Sequence, residues 1–418
     1  MGSCCYSFFR INNPFSDFDH AGELELHMFD KKISLYVFLT YLLFFSQEPC
    51  LAQIFEKELA VKETPIITNE SLPEGWVVAS DPELVKFGNT WWMFFNSIEL
   101  NFKKGLPIHV LAASLPEGEK LSADPQKWKV HSHPVISPGA KGEWDERTIE
   151  TTKYVYGYDA TAKEWVGRLY YVGWPHQTDQ IKEYQISFVQ WSDKQKRWIK
   201  HGKPVITATE AWERLNGSSF LGDQSAWYEP GKGKDGADGT WHIWYQAVAK
   251  PKDGGTSLVH ITSKDGIKWQ NKKRLTHKVP FTSRFVKTGP FSIDVLVKDG
   301  QFYFVGFLYN QDDLSKQGLW ITRSSTPDGS AVGDFSEWHP LIFENNGVWW
   351  HDSGLVSSKC HVTGLFAPTL REEDGKIWMF YHGYYRKGKV KDPCKDKSKN
   401  SGIIGRALVK DFDKIMGK

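Results

Sequence analysis

Carboxylates at matching points of a repeated segment are the first chemistry that the sequence offers. Asp81, Glu150, Asp223, and Ser292 with Asp294 each open a stretch that passes through apolar or β-branched residues and a turn into an aromatic run; Ala367 opens a fifth. Any single Asp or Glu at such a place reads equally well as a turn residue or a cap. Four of the five segments share the feature, however, and they lie far apart in the chain. Carboxylates gathered at one place raise one another's pKa, so one stays protonated as an acid while another stays ionised as a base. Hydrolysis of a glycosidic bond needs that pairing. No Cys/His spacing suited to a metal and no glycine-rich phosphate loop accompanies them, so no metal ligands are expected.

The elements that would position these groups follow from the spacing. The five segments, residues 81–95, 150–172, 223–245, 292–305 and 367–381, start 69, 73, 69 and 75 residues apart. Each reads as two antiparallel strands joined by a turn. A second unit follows the first four, a turn ending in Trp: SADPQKW at 122–128, SDKQKRW at 192–198, SKDGIKW at 263–269 and FSEW at 335–338. A repeat of about 70 residues therefore supplies four strands, one blade of a β-propeller. The spacing predicts an all-β, single-domain, five-bladed β-propeller over residues 53–418, with a strand in 54–67 closing the ring beside 403–408. The innermost strands of a propeller line its channel, so the repeat starts converge on one mouth.

Residues 1–52 are set apart from this pattern. Lys31 and Lys32 precede an apolar run, 33–46, which is short of the roughly 20 residues of a spanning helix. With Cys50-Leu51-Ala52 ahead of Gln53, the stretch reads as an N-terminal extension and secretory signal peptide, Met28 being a second possible start. A secreted or periplasmic protein, free of the membrane once the signal is removed, is expected. Of the five cysteines Cys360 and Cys394 would remain, and the sequence leaves their pairing open. With 52 basic against 50 acidic residues the net charge is +2, which excludes a nucleic-acid binder and suits a neutral sugar. The 15% of aromatic residues, 19 of them Trp, supplies both core and stacking platforms for a sugar face.

The five repeats, Asp81-Pro82 ahead of an apolar strand, and Gly142-Glu143-Trp144-Asp145 shortly before Ile149-Glu150 resemble the five-bladed propeller glycoside hydrolases, the superfamily of families 43, 32, 62, 68 and 117. The resemblance implies that Asp81 is the base or nucleophile and that Asp223, here without the usual following Pro, tunes pKa and orients substrate. The acid in these families is a Glu of the next blade. Gly289-Pro290-Phe291-Ser292-Ile293-Asp294 has none at that place. Three alternatives stay open: Asp294, two residues on and on the same strand face; Glu150; or a histidine as in family 117, with His277, His351 and His382 available.

His382 is also a candidate for a central ion. No cofactor is required, and a structural Ca2+ in the channel is the one metal entertained. Trp92, Trp174, Trp227 and Trp350 are expected to stack on sugar, with Arg147, His351 and His382 beside them. The function implied is hydrolysis of a plant or algal poly- or oligosaccharide, inverting if families 43 or 117 are the better likeness and retaining if family 32 is. The alternatives are a propeller phosphorylase like family 130 and a non-catalytic carbohydrate-binding propeller.

Overall fold

Alternating apolar residues build five four-stranded antiparallel sheets, each running from an innermost to an outermost strand. The computed structural model describes residues 60–100, 107–175, 183–249, 256–275, 291–308, 317–335, 337–343, 365–386, 400–410 and 412–415. Blade one comprises Trp76–Phe87, Thr90–Glu99, Ile108–Ser114 and Lys129–Val130. Blade two comprises Thr148–Asp159, Glu164–Trp174, Gln185–Ser192 and Arg197–Lys200. Blade three comprises Leu221–Glu229, Thr240–Val248, Thr256–Ser263 and Trp269–Arg274. Blade four comprises Phe291–Lys298, Gln301–Leu308, Gly318–Ser324 and Trp338–Phe343. Blade five takes Leu365–Glu373, Lys376–Arg386 and Asn400–Val409 from the end of the chain and its outermost strand, Ala60–Ile67, from the beginning. The five-bladed β-propeller expected from the repeat spacing is the observed fold. Among the described residues the α-helical content is one turn, Phe412–Ile415, and no helix is long and apolar enough to cross a membrane.

Both faces of each blade are apolar because each packs against a neighbour. Along Thr90–Glu99, Trp91, Met93 and Phe95 join the core between blades five and one, while Phe94 and the partly buried Trp92 join that between blades one and two. The same division by alternate residues gives cores between blades two and three, three and four, and four and five. The recurring Trp128, Trp198 and Trp269 of the turn units pack into these seams. This accounts for much of the aromatic surplus.

Ring closure depends on the first described strand. Ala60–Ile67 pairs antiparallel with Asn400–Val409, with Ala60 opposite Val409 and Ile67 opposite Ile404. Arg406 reinforces the closure across the seam, donating to the carbonyls of Leu121 and Ala123 and lying 5.0 Å above the Trp378 ring. Ile67 is fully buried, in one core with Leu84, Trp378 and Phe380. Ile67→Ala should therefore cost about 2–5 kcal/mol, read as a lower urea midpoint; a loss below about 1 kcal/mol would show that this strand does not hold the ring.

Candidate active site

Each innermost strand breaks its ladder at the same level, and blade one breaks a second time, between Val77 and Ser80, where Val78 has φ 70°. The register slips between Ser80 and Glu83, Glu150 and Lys153, Gly222 and Ser225, Phe291 and Asp294, and Phe366 and Thr369. At each slip one non-glycine residue has left-handed backbone: Asp81 (φ 50°), Thr151 (46°), Asp223 (47°), Ser292 (50°) and Ala367 (41°). Aspartate tolerates this region; Thr, Ser and Ala occupy it at a cost of order 1–3 kcal/mol, and strain of that kind collects at functional sites. The bulges turn these five residues toward the axis, where with Lys153 they border a small cavity. Four of the five repeat starts seen in the sequence are these strained residues. In the second repeat the place falls to Thr151, one beyond Glu150.

A second layer lies two residues further along each strand. Lys153 Nζ donates to Thr369 Oγ1 at 2.7 Å, Asp294 Oδ1 at 3.0 Å and Glu83 Oε2 at 3.2 Å. Arg371 holds the other oxygen of each carboxylate, Glu83 Oε1 at 2.6 Å and Asp294 Oδ2 at 3.3 Å. Ser225 Oγ donates to Asp294 Oδ1 at 3.0 Å, and the Leu370 amide to Asp294 Oδ2 at 2.9 Å. All five blades thus contribute to one buried network. Asp294 belongs to it and does not border the cavity. Burial works to raise its pKa, but Lys153 and Arg371 outweigh burial and hold the carboxyl below the usual range. A carboxylate so paired keeps no proton to donate near neutral pH. The blade-four position at the cavity is Ser292.

Asp81 and Asp223 face the same cavity, half-buried, from blades one and three. Asp81 Oδ2 accepts from Asn96 Nδ2 at 2.5 Å and Ser80 Oγ at 3.1 Å. Burial raises its pKa; these two donors and Lys153 oppose the rise. Asp223 is pushed up to about 7, first by burial and then by the charge of Asp81, against hydrogen bonds from the Ser292 hydroxyl and amide. The charge of Asp81 thus favours a proton on Asp223 near neutrality. Glu150 stands at the rim, where it and Asp223 add to burial in raising the Tyr184 phenol well above its ordinary value. Tyr184 sits edge-on to Trp174 at 3.9 Å and stacks on Phe220 at 5.2 Å. The hairpin Arg214–Leu215/Ser218–Ser219, turned by Asn216-Gly217, supports it: the Ser219 carbonyl accepts the Tyr184 amide at 3.4 Å.

The phrase Gly142–Asp145 proves to be an anchor. Asp145 is buried, accepting Tyr171 Oη at 2.9 Å and Lys200 Nζ at 2.7 Å, while Trp144 stacks on Tyr171. Trp144 and Asp145 crowd Gly173, where a Cβ would come within 2.8 Å and 2.7 Å of them. The anchor delivers Arg147, whose amide donates to Trp174 O at 3.1 Å, and then Glu150. Burial lowers the pKa of the half-buried Arg147.

The other expected site residues divide. Trp174 and Arg147 lie at the mouth end of blade two. Trp92 instead stacks on His131 in the blade one–two seam, and Trp227 packs on Phe302 and His242 between blades three and four. Both are seam residues because they fall on the blade faces of their strands. His382 is buried against Phe366 at 5.6 Å, its pKa lowered to about 3 by burial. Trp350, His351, His277, Cys360 and Cys394 lie outside the described residues, as do residues 1–59.

The axis does not suit calcium, which takes six to eight oxygen ligands. Glu83 and Asp294 already share all four oxygens between Lys153 and Arg371, and among the described residues no group of three or more His, Cys, Asp or Glu is placed to hold a metal. Tyr184, Phe220, Thr151 and Lys153 are site residues that the repeat starts did not reveal. A lone Lys within the innermost strand of blade two was the available signal for Lys153.

No family model matches the sequence, and no curated protein matches it. Solved structures share the fold. A glycoside hydrolase superposes with a TM-score of 0.50 at 11% identity, covering 84% of this chain and 91% of its own. An α-L-arabinofuranosidase from Podospora anserina, in complex with cellotriose, gives 0.50 at 10%, covering 84% and 96%. A glycosyl hydrolase from Bacteroides ovatus gives 0.49 at 13%, covering 84% and 94%. The chain shares its propeller fold with the first two of these.

The raised pKa of Asp223 carries a stability signature. Its folded value, about 7, lies above the ordinary 3.8, so the folded chain binds a proton more readily and its stability falls as pH rises from about 4 through 7. Asp223→Asn removes that loss. Its melting temperature should exceed the wild type's by more at pH 8 than at pH 5; an equal or smaller gain at pH 8 would contradict a raised Asp223.

Proposed function

We propose that the protein is an exported glycoside hydrolase of plant or algal poly- or oligosaccharides, in which Asp81 is the base and Asp223 the proton donor. The observation that carries this reading is that the two carboxyls border one axial cavity with their proton affinities coupled. Asp81 accepts a water proton as the water oxygen bonds to the anomeric carbon. Asp223, holding its proton near neutral pH, protonates the leaving oxygen as the glycosidic bond breaks. Asn96 and Ser80 stabilise the Asp81 carboxylate, and Ser292 orients Asp223. The rim rings of Trp174, Tyr184 and Phe220 offer stacking faces for a sugar. Thr152 Oγ1, buried at the cavity without a hydrogen-bond partner among the described residues, offers a contact for a hydroxyl or a water. Inversion is the outcome that the resemblance to families 43 and 117 implies, and the separation of the two carboxyl groups is what decides it.

Two further readings are judged by the same experiment. A phosphorylase needs a cation free for phosphate; Arg147 with a His is the candidate for that role, since Lys153, the one cation bordering the cavity among the described residues, is engaged by Glu83 and Asp294. A carbohydrate-binding propeller is favoured by one observation, that blade four offers Ser292 and no carboxyl. Export rests on Lys31, Lys32 and the apolar run that follows them.

The test is hydrolysis of arabinan, xylan, fructan and agar-derived oligosaccharides, with and without phosphate. The wild type should cleave at least one without phosphate. Asp81→Asn and Asp223→Asn should each lower kcat by about 10²–10⁴-fold, while Glu150→Gln should lower it far less. Binding without turnover by the wild type would select the non-catalytic reading, and phosphate dependence the phosphorylase.

A further inference from the structure

Resting on the acid–base reading above, we propose that Lys153 is the positioning residue that sets the charge of the site: from the cavity floor its ammonium keeps one carboxyl of the Asp81–Asp223 pair ionised. The geometry is specific. Lys153 is the one cation among the described residues bordering the cavity, and its side chain is only 7% exposed. Three acceptors from three other blades fix its Nζ. Its two ionic partners are each shared with Arg371, oxygen by oxygen, so Glu83 and Asp294 balance Lys153 and Arg371 with no charge left over. The buried layer under the site is therefore neutral as built, and the cation bordering the cavity among the described residues is an ammonium.

The groups facing the pair can be enumerated blade by blade. Blade one brings Glu83 below the cavity; blade two brings Lys153 below and Glu150, Tyr184 and Arg147 at the rim. Blade four brings Asp294 below and the hydroxyl of Ser292 beside Asp223, and blade five brings Arg371 below. Removing the ammonium alone leaves two carboxylates against one guanidinium beneath Asp81 and Asp223. Negative charge there disfavours ionisation, so both titration steps of the pair must move to higher pH. Removing a carboxylate from the same layer must move them to lower pH. A role in packing alone predicts neither sign.

The experiment is a 13C NMR titration of the aspartate carboxyls in the full-length protein, with folding checked by circular dichroism. Lys153→Met should raise both steps by about one pH unit or more, Lys153→Arg should leave them near their wild-type positions, and Glu83→Gln should lower them. Steps unmoved in folded Lys153→Met, or moved as far by Lys153→Arg, would overturn the proposal. Should Lys153→Met fail to fold, Glu83→Gln decides it, because an unmoved or raised titration contradicts the charge argument. A wild type that cleaves no oligosaccharide defeats the reading of the function and leaves this titration to be judged separately. Where a substrate is found, the pH–rate limbs should move with the NMR steps.

Discussion

Two carboxylates and two cations, exchanging one oxygen apiece across the propeller axis, are the interaction on which the rest depends. Glu83, Asp294, Lys153 and Arg371 come from blades one, four, two and five, and Ser225 of blade three completes the circle on Asp294. Such a layer contributes little net stability, because desolvating four charges offsets their attraction. Loss of any one member strands the others as buried charges without their partner. The apolar seams supply the larger driving force for closure, but they would tolerate small slips that the ionic layer does not.

That layer also decides how the strands above it must run. Placing the residues after the bulge in the network and the bulged residue toward the cavity requires one extra residue per innermost strand. The extra residue takes left-handed backbone, with φ between 41° and 50° in all five blades. Asp81 and Asp223 enter that conformation at little cost, and Thr151, Ser292 and Ala367 hold it because the adjacent ladder and the network fix both sides. The two aspartates are then brought close enough to oppose each other's ionisation, over a floor whose own charges cancel. Strain, burial and charge converge on one small volume.

The blades were legible because a propeller writes its period into the chain: the turn units ending in Trp128, Trp198 and Trp269 and the repeat starts at Asp81, Asp223, Ser292 and Ala367 all recur in phase. The site was legible only in part. Alternation along an unbroken strand puts residues 292 and 294 on one face, but the bulge between them assigns Ser292 to the cavity and Asp294 to the ionic layer. The same one-residue slip passes blade two's place from Glu150 to Thr151. Trp92 and Trp227 are seam residues since both faces of a blade are buried, which composition does not reveal. Tyr184 and Phe220 lie between strands, positioned by a hairpin whose Asn216-Gly217 turn is local but whose contact with the rim is not.

The saccharide site proposed at Asp81 and Asp223 depends on the bulge layer and on the ionic layer that holds it. A crystal structure of the Asp81→Asn variant with a bound oligosaccharide tests it most directly. A glycosidic oxygen is expected within hydrogen-bond distance of Asp223, with the anomeric carbon facing the substituted side chain across the axial cavity. Sugar bound elsewhere, with that cavity empty under saturating ligand, would contradict it.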